Sequence, residues 1–213
     1  FIQYLKEYIK KILLSKRVHF IRHKKTKYKS NIFLGTKINP SILALSKISN
    51  KQNLNYDICY SSPMKRTLQT ARILIKKELI KINKNLTEIN YGEYEGLSFD
   101  EVKLKDPKFS NLLSRNKDPK FPNGENTKDV LNRINKFINF LILSESNNKL
   151  ILVVTHNVCM RCLIGSFLGI KINDWYKIKI PYFTKFEIIV YESQVLLNIS
   201  RTKIKNILKN IYG

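Results

Sequence analysis

The chain has 213 residues, 43% of them hydrophobic, and carries 39 lysines and arginines against 16 aspartates and glutamates, for a formal net charge of +23. That length fits one sizeable globular domain with a real core and leaves a second independent domain cramped. No run of about 18 apolar residues exists, which excludes a membrane-spanning helix; three cysteines are too few for a disulfide framework, which sets the chain in a cytoplasmic or other reducing compartment, with organellar targeting left open.

The charge by itself points to an anionic partner. The lysines are scattered rather than gathered into one arm, and Asn and Ile are abundant where Gly and Ala are scarce, as coding from AT-rich DNA produces on solvated faces. A biased surface is therefore expected, with no specific nucleic-acid partner. "CMRC" spells a CxxC, but it sits in the apolar run "VCMRCLIGSFLGI" without a second pair, so Cys159 and Cys162 read as packing residues rather than metal ligands.

In chain order, residues 1–16 are expected to form a basic amphipathic helix, with Phe1, Leu5, Tyr8, Ile9, Ile12 and Leu13 on one face, in front of a main unit spanning 17–213. It reads as a cap on that unit, with a surface-binding or targeting segment as the alternative; the first residue is Phe, so a preceding leader is open. "VHFIR" (18–22) and "YDICYS" (56–61) predict strands, followed by a helix over 63–79 in which Ser62 is the N-cap and Pro63 the first residue. A further strand is indicated over 81–86, then a Gly-punctuated segment "LTEINYGEYEGLSFDEV", and a long loop over 105–126 of the kind that covers sites. A helix over 126–143 precedes "KLILVVT" (149–155), an apolar run suited to a strand buried on both faces. A helix over 157–168 and a hairpin formed by "FEIIVYE" and "QVLLNISR" complete the pattern. The alternation predicts an α/β fold: three layers, α/β/α, with a mostly parallel central sheet and an antiparallel edge strand.

In such sheets ligands bind beyond the carboxyl ends of the strands. "VHFIR" delivers Arg22 and His23 there, "ILVVT" delivers His156, and Arg66 falls in the first turn of the helix after the second strand. The helix beginning at Asn157 adds N-terminal amides that favour an anion. Two guanidinium forks and two imidazoles suit a phosphoryl group, which a neutral imidazole can attack and carry. A proton for the leaving oxygen is expected from Glu88, Glu93 or Glu95, among which spacing does not choose. His19 points away from a site-directed neighbour on its strand and reads as structural.

Five segments in order resemble the histidine phosphatase, or phosphoglycerate mutase-like, superfamily. "FIRHKKT" is similar to its RHGxT motif, "YSSPMKRTLQTA" to SSPxxRxxQTA and "LTEINYGEYEG" to LxEixfGxWEG; "FPNGENTKDVLNRI" resembles PxGES, and "VVTHNVCMRCLIG" the second-histidine motif. The resemblance implies that His23 is the phosphorylated nucleophile and Glu88 the proton donor and later base, while Arg22, Arg66 and His156 hold the phosphoryl oxygens. It extends to substrate contacts at Thr26, Lys29 and Asn157, and implies no metal and no cofactor. The short interval between Glu88 and His156 resembles the compact phosphatase branch rather than the mutases, so the partner implied is a phosphorylated small molecule such as a sugar phosphate. A homodimer is left open. Phosphoglycerate mutase-type transfer and a weak phospho-ligand or nucleic-acid binding module are the alternatives. Lys24 stands in place of the motif glycine, Lys29 in place of an asparagine and Asn157 in place of a common glycine. Lysine does not share glycine's freedom, so a reshaped loop is expected at 24.

Overall fold

Short runs of Val, Ile and Leu form buried strands where helices cover both of their faces. The computed structural model describes residues 14–29, 31–43, 55–115, 117–144 and 147–212, so residues 1–13 of the expected N-terminal helix lie outside the described residues. Six strands form one sheet: β1 (Lys16–Arg22), β2 (Ile58–Ser61), β3 (Ile80–Ile82), β4 (Leu150–Thr155), β5 (Lys185–Tyr191) and β6 (Gln194–Asn198), in the order β3-β2-β4-β1-β5-β6. β1, β2, β3 and β4 pair in parallel, and β5 and β6 add an antiparallel edge.

Alternate residues of the central strands feed two apolar layers. Val18, Phe20, Ile58, Tyr60, Ile151 and Val153 pack against Val130, Ile134, Phe137 and Leu141 of helix α4 (Thr127–Ser144) and against α5 (Asn157–Phe167). Ile21, Cys59, Leu152 and Val154 face the other way, towards Ala71 and Leu74 of α1 (Lys65–Leu74). This is the expected three-layer arrangement. Lys16 opens β1 and is buried; its ammonium donates to the carbonyls of Leu141 and Ile142, both at 2.8 Å, near the carboxyl end of α4, where a cation offsets the helix dipole.

Four sequence expectations shift. The helix expected over 63–79 ends at Leu74, because the chain must turn back to lay β3 parallel to β2. The strand expected over 81–86 is confined to Ile80–Ile82, and a 3-10 turn capped by the Asn83 side chain follows it. The loop expected over 105–126 holds helix α3 (Pro107–Ser114), which adjoins α2 (Phe99–Lys105). Asp106 accepts from the Phe109 amide at 2.9 Å and Pro107 takes the first turn, so the Asp-Pro pair that reads as loop punctuation is a helix start. The second arm of the hairpin stops at Asn198, and α6 (Arg201–Tyr212) closes the described chain.

Phe137 is fully buried in the main core, in edge contact with the rings of Phe20 and Tyr60. Phe137→Ala is expected to cost about 3–5 kcal/mol, read from urea midpoints at unchanged slope; a loss below about 1 kcal/mol would place the core elsewhere.

Candidate active site

Three neighbouring parallel strands end side by side. Arg22 of β1 is in register with Thr155 of β4, and the His23 amide donates to the Thr155 carbonyl at 3.0 Å. On the other side of β4, the Ser62 amide donates to the Val154 carbonyl at 3.1 Å. His23 and His156, one residue beyond their strands, are brought to a ring separation of 5.2 Å, and both are buried.

The hydrogen bonds assign their tautomers. A carbonyl only accepts, so His23 Nδ1 carries the proton it donates to the Lys24 carbonyl at 2.7 Å, leaving a lone pair on Nε2. A guanidinium only donates, so His156 Nδ1 accepts from Arg66 Nε at 3.2 Å, and its Nε2 donates to Ser62 Oγ at 2.8 Å. Burial, reinforced by Arg66, pushes His23 down to about 3 and His156 well below the usual histidine range. Both imidazoles are neutral at physiological pH.

Arg66 is fully buried, the second residue of α1; besides His156, it donates to the carbonyls of Gly35 at 2.7 Å and Ile38 at 3.2 Å. Three of its five N–H groups are thereby committed and two are left. Arg22 donates Nη1 to the Ile180 carbonyl and places its guanidinium 3.9 Å from the centre of the Tyr182 ring. Its buried Nε has no hydrogen-bond partner, and neither does Asn157 Oδ1.

The fold separates the three glutamates that spacing leaves equal. Glu93 is exposed and bonds Asn123. Glu95 accepts from the amides of Thr36 and Ile38. Glu88 alone is buried beside the histidines, with Arg66 and Arg22 within electrostatic reach. Its carboxylate accepts from the amides of Asn157 at 3.0 Å and Val158 at 3.2 Å, so the first amides of α5, expected to favour a bound anion, already hold one supplied by the chain. Burial raises the Glu88 carboxyl above its ordinary range, against the pull of Arg66, the Ile89 amide, Arg22 and Arg133.

Arg22, His23, Arg66, Glu88 and His156 are therefore brought together. Thr26 is buried two residues beyond Lys24, where it bridges to Ile42. Asn157 joins the site through its amide. Lys29 is exposed and lies within electrostatic reach of Glu101. Lys24 keeps a negative φ; its amide is held by Thr70 Oγ1 at 3.0 Å and its carbonyl by His23, so no left-handed residue is needed where the family has glycine. Ser62 is not the N-cap of α1, which starts at Lys65 after Met64; its hydroxyl takes the Met64 amide at 3.3 Å and serves His156.

Sequence reasoning missed Arg161, Arg133 and Tyr182. Arg161 anchors to the Ile178 carbonyl at 2.8 Å, with Tyr91 and Glu88 as its electrostatic neighbours. Its signal was a lone cation four residues after Asn157 on an otherwise apolar helix, hence on the same face. Arg133 donates to the carbonyls of Asn85, Thr87 and Glu88 and pairs with Glu125 at 2.9 Å, fixing the backbone that carries Glu88. The cysteines pack as expected: all three are buried, and burial raises Cys59 to about 12 and Cys159 to about 11. His19 is structural, held between the Tyr56 hydroxyl and Glu187. Among the described residues no helix is long and apolar enough to cross a membrane.

A mostly parallel sheet thus ends in two neutral histidines, a buried and a half-buried arginine and a buried carboxyl, within an α/β protein. Residues 43–198 match the model of the histidine phosphatase superfamily (branch 1), and the chain belongs to that family. The matched span holds Arg66, Glu88 and His156 but begins after His23, which the fold returns to their side. The chain is 29% identical to phosphoserine phosphatase 1 of Hydrogenobacter thermophilus over 123 residues, which is 56% of this chain and 58% of the relative. It is 31% identical to human 6-phosphofructo-2-kinase/fructose-2,6-bisphosphatase 3 over 142 residues, 66% of this chain and 26% of the relative. It thus spans little more than half of the first and about a quarter of the second. Solved structures share the fold: Shigella flexneri α-ribazole phosphatase at a TM-score of 0.71 and 18% identity (88% and 96% of the two chains), and Entamoeba histolytica phosphoserine phosphatase at 0.72 and 20% (87% and 98%).

Histidines held neutral bind fewer protons folded than unfolded, so stability falls as pH drops below the unfolded value of 6.5, for His23 down to about 3. His156 and His19 act in the same direction, while Glu88, raised from 4.5, opposes them between that value and its folded one. Once the unfolded imidazole is charged, His23 contributes a slope of about 1.4 kcal/mol per pH unit. Urea midpoints at pH 7, 6 and 5 should decline, and His156→Gln should flatten the decline by about one proton; parallel profiles would rule out a neutral His156 in the fold.

Proposed function

We propose that the protein is a phosphatase that hydrolyses a phosphomonoester of a small metabolite, a sugar phosphate or related compound, through a phosphohistidine intermediate and without a metal. The observation that carries this reading is the fixed His23 tautomer, which leaves Nε2 as a lone-pair nucleophile beside His156, Arg22 and Arg66. Nε2 attacks phosphorus in line while the leaving oxygen departs with the Glu88 proton. Water then attacks the phosphohistidine, Glu88 takes its proton, and inorganic phosphate leaves with His23 restored. The raised Glu88 carboxyl supports the acid role. Arg22, the two uncommitted N–H groups of Arg66 and the His156 ring neutralise the oxygens whose charge grows in the transition state, the work that Mg²⁺ does in other phosphoryl-transfer sites. In this reading Thr26 and Asn157 are the further substrate contacts, and Lys29 adds positive field from the exposed surface. The names of the relatives, phosphoserine phosphatase and fructose-2,6-bisphosphatase, support the reaction class.

Phosphate release from p-nitrophenyl phosphate and a panel of sugar phosphates, with EDTA present, is expected for the wild type and expected to fall to background for His23→Ala. Folded wild type without turnover across the panel would favour a binding module. For Glu88→Gln, kcat/KM on a sugar phosphate should fall about 10²–10⁴-fold, with loss of the high-pH limb that deprotonation of Glu88 imposes on the wild type. A limb surviving in that variant would assign the proton to another group.

A further inference from the structure

Arg66 comes from a helix, yet two of its three acceptors lie on one distant loop, the carbonyls of Gly35 and Ile38. That loop is held from its other side by a single carboxylate: Glu95 accepts from the Thr36 amide at 3.0 Å through Oε2 and from the Ile38 amide at 2.6 Å through Oε1. The Gly35 carbonyl and the Thr36 amide belong to one peptide group. In a trans peptide these two dipoles point in opposite directions, so pinning the N–H to Glu95 aims the C=O at the guanidinium. The negative charge polarises that peptide towards Arg66, and chained bonds of this kind strengthen one another.

The anchor is itself fixed. The Gly96 amide donates to the Phe33 carbonyl at 2.9 Å and the Phe33 amide to the Leu97 carbonyl at 2.8 Å, so the backbone around Glu95 and the backbone entering the loop are tied together. Gly35 lets the two approach: a Cβ there would stand 2.5 Å from the Ile89 carbonyl oxygen and 2.9 Å from Glu95 Oε2.

We propose that Glu95 is a positioning residue, which sets the orientation of the Arg66 guanidinium through the 35–38 loop and touches neither substrate nor reacting atoms. This rests on the reading of Arg66 as a holder of phosphoryl oxygens. It separates Glu95 from Glu88, which shares its segment and does a different job.

The test is a double-mutant cycle read in the affinity for inorganic phosphate, measured by calorimetry, and in kcat/KM. Glu95→Gln keeps the side chain's length but loses the charge and one of the two amide bonds. It is expected to weaken phosphate binding about tenfold with Arg66 present, and by less than about twofold in an Arg66→Met background. Glu95→Asp, which keeps the charge, should fall between Gln and wild type, and it serves as the probe if the Gln variant does not fold. A merely structural staple would lower the melting temperature equally in both backgrounds and leave phosphate affinity unchanged, which would overturn the positioning role. Phosphate affinity unchanged by Arg66→Met would overturn the phosphoryl-site reading together with it, whereas loss in Arg66→Met without loss in Glu95→Gln would overturn the positioning role alone.

Discussion

The register between β1 and β4 is the constraint on which the site depends. Arg22 sits opposite Thr155, so the chain emerges from both strands at the same level and the next residue of each is a histidine. A slip of one residue would turn every β1 side chain to the opposite face, exchanging Val18 and Phe20 of the main core for His19 and Ile21. The core prevents this: Phe20 stacks on Phe186 at 5.3 Å between ring centres, while His19 needs the Tyr56 hydroxyl and Glu187 on the other side. Apolar packing far from the pocket therefore fixes the distance between the two imidazoles within it.

Burying this much charge works against folding. Arg66 lies wholly out of solvent, and Glu88 is nearly so. A buried cation without compensation costs several kcal/mol. Here the compensation is mostly backbone: Arg66 on Gly35 and Ile38, Arg22 on Ile180, Arg161 on Ile178, Arg133 on residues 85, 87 and 88. Carbonyl oxygens stabilise a guanidinium without cancelling its charge, so the arginines keep a net positive field for an incoming anion. An ion pair with a carboxylate would stabilise them equally and would remove that field. Of these four arginines, and among the described residues, only Arg133, which supports the Glu88 backbone, forms a salt bridge with a carboxylate.

The same distinction explains what was legible in the sequence. Strand ends and helix starts are side-chain patterns, and Arg22, His23, Arg66 and His156 could be placed from them. Spacing could not choose among Glu88, Glu93 and Glu95, and the family resemblance alone singled out Glu88, because their surroundings are set by backbone groups distant in sequence: amides 157 and 158 for Glu88, amides 36 and 38 for Glu95. Helix α3 was hidden because Asp-Pro signals a turn and a helix start equally well. Ser62 carried a sound capping signal and still acts elsewhere, since a buried imidazole with one nitrogen committed to Arg66 needs a partner for the other.

The large net charge takes a specific meaning from this accounting of acids. Several carboxylates are engaged with backbone amides rather than cations: Asp57 with residue 150, Asp106 with 109, Asp118 with 127 and 128, and Glu95 with 36 and 38. Amides stabilise a carboxylate without cancelling its charge, so the positive field follows from the excess of 39 lysines and arginines over 16 aspartates and glutamates. Lys25, Lys27 and Lys29 follow His23 on an exposed stretch, where their influence is screened within about 8–10 Å at physiological salt. They can raise the frequency with which an anion reaches the pocket, since steering needs only a field. They contribute little to the geometry of what is held there, which requires donors fixed in direction. Under the proposed function, orientation falls to the site arginines and imidazoles, and encounter and recognition belong to different residues of one cationic surface.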